Sequence, residues 1–144
     1  MRRCGKSYLL FEIFASHLEQ QGVAPDHIVK VDLEDYKNKS LRNPDNLYEY
    51  VESRIVDNGR YYVMLDEVQM LDHFEDVLNG FLRMRNVDVY VTGSNAKFLS
   101  KDIITEFRGR GYEVKMYPLC FKEFMSAYTG SVQAGFNEYM LYGG

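Results

Sequence analysis

The sequence predicts an α/β fold, with helices layered on the faces of a mainly parallel sheet, and two observations carry that expectation. Segments with helical apolar spacing alternate with short extended runs along the chain, the order that builds strand–helix–strand units. The run Tyr61-Tyr62-Val63-Met64-Leu65 is uninterrupted apolar sequence, as expected of a strand covered on both faces rather than on one.

Taken in order, residues 7–21 place Leu9, Leu10, Ile13, Phe14 and Leu18 at helical spacing, and Gly22 supplies a stop. Residues 28–33 alternate apolar and polar as a short strand. Residues 43–58 put Leu47, Val51 and Ile55 on one helical stripe that Asn58-Gly59 ends with a turn signal. The strand over 61–65 runs into Asp66 and Glu67, and a helix is expected over 74–84. A second buried strand over 87–91 leads to Thr92-Gly93-Ser94-Asn95, followed by a helix over 95–107 and the turn Arg108-Gly109-Arg110-Gly111. A last strand is expected over 112–117, closed by Pro118, before helical sequence from Phe121 to about residue 128. With no repeat, linker or low-complexity tract, the 144 residues are read as one domain.

Composition narrows the class. Apolar residues make up 46% and charged residues 26%, the balance of a folded globular chain. Seventeen Lys and Arg against 21 Asp and Glu give a net charge of −4 without a basic run, so nothing in the charge pattern calls for nucleic acid. No apolar stretch approaches the roughly 20 residues that span a bilayer. Cys4 and Cys120 stand far apart without zinc-type spacing and are read as reduced thiols, which favours a cytoplasmic location.

The chemistry begins at Gly5-Lys6-Ser7, directly before the first amphipathic helix. These residues match the end of G-x-x-x-x-G-K-[ST], in which glycine admits phosphate to the backbone, lysine reaches the β and γ phosphates and the hydroxyl ligates magnesium. A helix N-terminus adds unpaired amides and partial positive charge that suit an anion. The motif's first glycine falls one residue before Met1, and three residues before a helix could match by chance. The second cluster, an apolar strand ending in Asp66-Glu67, reads by itself as a buried strand with solvated acids, but the two motifs stand in the order and at the separation a P-loop fold needs and together point to nucleotide binding. There Asp66 would hold magnesium and Glu67 would act as general base toward an attacking water.

Two further groups keep two readings each. Ser94 and Asn95, at the tip of the neighbouring strand, would contact the water or γ-phosphate, or simply cap the next helix. Arg108 and Arg110 would stabilise transition-state charge in a neighbouring subunit as arginine fingers, or remain solvated in their turn. A flavodoxin-like binding domain is disfavoured by the pairing of Lys6-Ser7 with Asp66-Glu67. His17, His27 and His73 have no ligand spacing.

Together, Arg2-Arg3-Cys4-Gly5-Lys6-Ser7, Leu65-Asp66-Glu67-Val68-Gln69, Thr92-Gly93-Ser94-Asn95, Gly109-Arg110 and Tyr117-Pro118-Leu119-Cys120-Phe121-Lys122-Glu123-Phe124 resemble the bacterial and archaeal AAA+ type ATPases with a DUF4143 C-terminal domain. The resemblance implies a three-layer P-loop NTPase fold with a five-stranded parallel sheet. It implies ATP and Mg2+ as ligands, with nucleotide contacts from Arg3, Cys4, Gly5, Lys6, Ser7 and Tyr8, metal held by Ser7 and Asp66, and Glu67, Asn95 and Arg110 as catalytic groups. Arg110 is the better finger candidate, which implies a homo-oligomer. The client, protein or DNA, is not legible.

Family members also have a strand before the position of Met1 and continue past residue 144 into a lid and C-terminal domain. Residues 1–144 are therefore expected to be a partial ATP-binding core, truncated at both ends and missing its first central strand. Several large apolar side chains at roughly 1.5 to 3 kcal/mol each rival a domain's whole stability, so such a piece is expected to fold poorly and bind nucleotide weakly. The alternative to an ATPase is a nucleotide-binding switch without turnover.

Overall fold

The computed structural model describes residues 5–93, 107 and 109–142. They form two compact units, Ser7–Gly111 and a second built by residues 112–142 with Gly5 and Lys6.

In the first unit the sheet has three parallel strands, β1 (Ile28–Asp32), β2 (Tyr61–Asp66) and β3 (Val87–Val91), in the order β1-β2-β3. Asp32 pairs with Asp66 and Leu65 with Val91, so the three carboxyl ends lie side by side. The helices are α1, which begins at Lys6 of the second unit and continues in this one through the rest of Lys6–Tyr8, a π-helical stretch Leu9–Phe14 and Ala15–Gln20, then α2 (Pro44–Arg54) and α3 (Phe74–Phe81).

The period of two in β2 sends alternate side chains to opposite faces, and both faces are covered. Tyr61, Val63 and Leu65 join Val31, Leu47, Val51, Leu78 and Phe81 in one core cluster, against α2 and α3. Met64 joins Leu10, Ala15, Leu18 and Ile28 in a second cluster under α1. This gives helix, sheet and helix layers, the architecture that the uninterrupted apolar run of β2 demands. Among the described residues the sheet has three strands, where the family resemblance implied five.

Local chemistry sets the helix boundaries. The α1 helix stops where Gly22 takes a φ of +91°, a conformation glycine adopts without steric penalty. Its π-helical stretch displaces the usual carbonyl pairing, and Lys30 Nζ on β1 donates to the Phe11 carbonyl at 2.6 Å. At the start of α2, the Asn43 side chain accepts from the Asp45 and Asn46 amides at 3.0 and 3.2 Å, with Pro44 in the first turn. This helix ends at Arg54, short of the expected residue 58, because Ile55 turns extended and the Val56 amide donates to the buried Tyr61 hydroxyl at 3.1 Å. Similarly α3 closes at Phe81, and Met84 N–H bonds the Phe81 carbonyl at 2.9 Å in a tighter last turn.

In the second unit, residues 112–117 carry no strand, contrary to the expectation from their apolar content. A strand exists by its ladder, and none of the described residues pairs with this segment; Tyr112, Val114 and Tyr117 are exposed. Two helices follow, α4 (Phe121–Ala127) and α5 (Val132–Tyr142). The Glu123 carboxylate accepts the Cys120 amide at 2.8 Å, capping α4. Phe121 meets Phe136 edge-on at 5.6 Å and Tyr139 at 5.4 Å, and the Tyr139 hydroxyl donates to the Leu119 carbonyl at 2.8 Å. The stretch Leu119-Cys120-Phe121-Lys122-Glu123-Phe124 is thus a helix start and half of an aromatic cluster, a structural role for this part of the sequence. The helix expected over 95–107 lies outside the described residues except for Phe107, which packs on the main core.

Candidate functional site

The candidate site lies at the carboxyl ends of the parallel strands, where such sheets bind ligands. Asp66, the last residue of β2, is 3% exposed. A carboxylate that far from water needs partners, and it has two. The Ser7 hydroxyl, from the start of α1, donates to Oδ2 at 2.6 Å, and the Thr92 hydroxyl, just past β3, donates to Oδ1.

Thr92 also ties the next residue in place. Its hydroxyl oxygen accepts the Glu67 amide at 3.2 Å, its amide donates to the Leu65 carbonyl at 2.9 Å, and its carbonyl accepts the Val68 amide at 3.0 Å. Glu67 itself has a φ of +52° and ψ of 47°, a left-handed conformation uncommon for any residue but glycine or asparagine. Such backbone persists where surroundings over-determine it and clusters at functional sites. Here the surroundings are the Thr92 contacts, the Met70 amide on the Glu67 carbonyl at 2.9 Å, and the Gln69 side-chain amide, which donates to Glu67 Oε2.

The structure thus brings Ser7 to Asp66, with Glu67 the next residue along the chain. Tyr8 is 65% exposed and stands one residue beyond Ser7. Gly5 has a φ of +79°, the left-handed conformation that a tight loop before a helix uses, and Lys6 begins the helix; both belong to the second unit. Arg110 is exposed and donates from Nη1 to Asn79 Oδ1 at 3.2 Å. Arg3, Cys4, Ser94, Asn95 and Arg108 lie outside the described residues. Sequence reading passed over Thr92 as a functional residue; its signal was a hydroxyl at the tip of the strand beside the one that ends in Asp66-Glu67.

Magnesium fits these donors. A hydroxyl and a carboxylate are hard oxygen ligands. Magnesium prefers that arrangement, held by one or two carboxylates with substrate phosphate and water completing its shell. By contrast, the cavity of about 350 Å³ lined by Glu19, Asp26, Lys30 and Arg54 also touches Ile28 and Val29, the opening residues of β1, at the end of the sheet remote from Asp66. No helix among the described residues is long and apolar enough to cross a membrane.

A layered parallel sheet with a glycine-lysine-serine motif at the start of its first helix and a buried acid at the end of a strand defines the P-loop nucleotide-binding class. The chain belongs to the AAA domain family AAA_14, whose model matches residues 1–125, and it carries an ATPase-like nucleotide-binding domain. An uncharacterized protein of Haemophilus influenzae is 31% identical over the whole of this chain and 37% of its own length. Two uncharacterized proteins of Methanocaldococcus jannaschii are 31% and 24% identical, each over 87% of this chain and 26% of the relative. The chain therefore spans between about a quarter and two fifths of the length of these relatives. No solved structure gives a significant match.

Proposed function

We propose that this chain is the ATP-binding core of a magnesium-dependent ATPase whose hydrolysis cycle drives conformational change in attached segments or partners. The observation that carries the reading is the 2.6 Å hydrogen bond between Ser7 and Asp66, 59 positions apart. It joins the hydroxyl of the phosphate-loop motif to the strand-end acid, the two side chains that hold the metal in P-loop ATPases.

In this reading the amides at the start of α1 and the Lys6 amine bind the phosphates, with Gly5 admitting them to the backbone. Bound magnesium would neutralise charge on the β and γ oxygens, and Ser7 and Asp66 would hold it there. Glu67 orients the attacking water and takes its proton. Arg110 is proposed to reach the nucleotide of a neighbouring copy and Asn95 to contact the γ-phosphate, each with its plain alternative of a solvated loop residue or a helix cap.

The test is phosphate release by the full-length protein and by Glu67→Gln. Loss of a general base lowers turnover by roughly 10²- to 10⁴-fold, with ATP affinity retained. Equal phosphate release by the two proteins would remove Glu67 from that role, and absence of both ATP binding and turnover in the wild type would overturn the reading.

A further inference from the structure

We infer that Thr92 is the positioning residue of the metal site, holding the Asp66 carboxylate and the Glu67 backbone in register through a single hydroxyl. This deepens the ATPase reading above and rests on it.

The Thr92 hydroxyl has one proton and two acceptor lone pairs. One lone pair is taken by the Glu67 amide, 3.2 Å away, and the proton goes to Asp66 Oδ1. That leaves Oδ2, which accepts from Ser7, as the oxygen facing the phosphate-loop serine. The carboxylate is thereby braced at one oxygen by β3, and the other oxygen meets the hydroxyl with which it would share a metal. Backbone bonds from Thr92 to Leu65 and Val68 anchor the brace on both sides of the acids. Because Asp66 is buried, water cannot easily replace the hydroxyl if it is lost.

Valine matches threonine in shape and removes only this hydroxyl, so Thr92→Val isolates it, with Thr92→Ser as the variant that keeps it. The readout is the affinity of the full-length protein for a fluorescent ADP analogue with Mg2+ and with EDTA, together with Mn2+ binding in the presence of ADP. Outer partners of metal ligands typically contribute 10- to 100-fold in metal affinity. Thr92→Val is expected to weaken Mn2+ and Mg2+-dependent nucleotide binding by roughly that factor, to leave binding in EDTA within about twofold, and Thr92→Ser to recover most of the loss. Equal losses with Mg2+ and EDTA, no loss at all, or a Thr92→Ser variant as impaired as Thr92→Val would each overturn the assignment. If Thr92→Val does not fold, the serine variant still decides, since a wild-type metal response is required of it. A wild type without any Mg2+-dependent nucleotide binding would instead overturn the ATPase reading and this inference with it.

Discussion

Ser7 and Asp66 share a 2.6 Å hydrogen bond although one opens the first helix and the other ends the central strand. Ser7 is exposed and Asp66 buried. Replacing the exposed partner lets water take its place, so Ser7→Ala is expected to change nucleotide-free stability by less than about 1 kcal/mol. Removing a hydroxyl proposed to ligate magnesium should weaken Mg2+-dependent ATP binding at least roughly tenfold. Urea titration and nucleotide titration with and without Mg2+ check the two parts.

Gln69 donates its side-chain amide to Glu67, whose backbone is already held left-handed. The general-base role proposed for Glu67 needs its carboxylate to meet water at a fixed angle, and that efficiency falls when the orienting donor is removed. Gln69→Ala should lower kcat by roughly tenfold, the worth of one hydrogen bond to a charged group, with little change in the KM for ATP. In a Glu67→Gln background the same substitution should have no further effect on kcat, and a steady-state double-mutant cycle measures this.

Phe81 is fully buried and stacks on Tyr48 at 5.3 Å with an 8° tilt. It closes α3 onto the cluster that also contains Tyr61 and Leu65. Phe81→Ala is expected to lower unfolding free energy by about 3 to 5 kcal/mol, read from the urea midpoint at constant slope.

Asp57 has its carboxyl held below the ordinary 3.8, chiefly by the Gly59 amide, with desolvation opposing and His27 and Tyr61 adding to the lowering. A depressed carboxyl contributes stability that is complete above its unfolded value and lost as pH falls through its folded value. Acid should therefore destabilise the wild type more steeply than Asp57→Asn once pH drops below 3.8. Thermal melts of both proteins across that range give the comparison, and since the group is exposed the difference is small.

Several elements could be read from the residues because their causes are local. Alternation in 28–33, the unbroken run of β2 and the stripe of Leu47 and Val51 are period-two and period-3.6 patterns, and each corresponds to a described element. Asn43-Pro44 announces a helix start by its own chemistry. The α2 boundary was missed because it depends on Tyr61, whose hydroxyl takes the Val56 amide. The strand expected over 112–117 failed for a related reason, since apolar content does not supply a neighbouring ladder.

Residue types and spacing by themselves determined that this protein has layered α/β architecture, and they singled out Gly5-Lys6-Ser7 and Asp66-Glu67 as the candidate site residues. Tertiary structure alone decided that Thr92 braces Asp66, that Gln69 holds Glu67 and that Glu67 sits in a left-handed turn. The physical reason is range: periodicity and caps are encoded within a few positions, whereas contacts between residues 26 and 59 apart exist only once parallel pairing has brought the ends of β2 and β3 level and packed α1 against them.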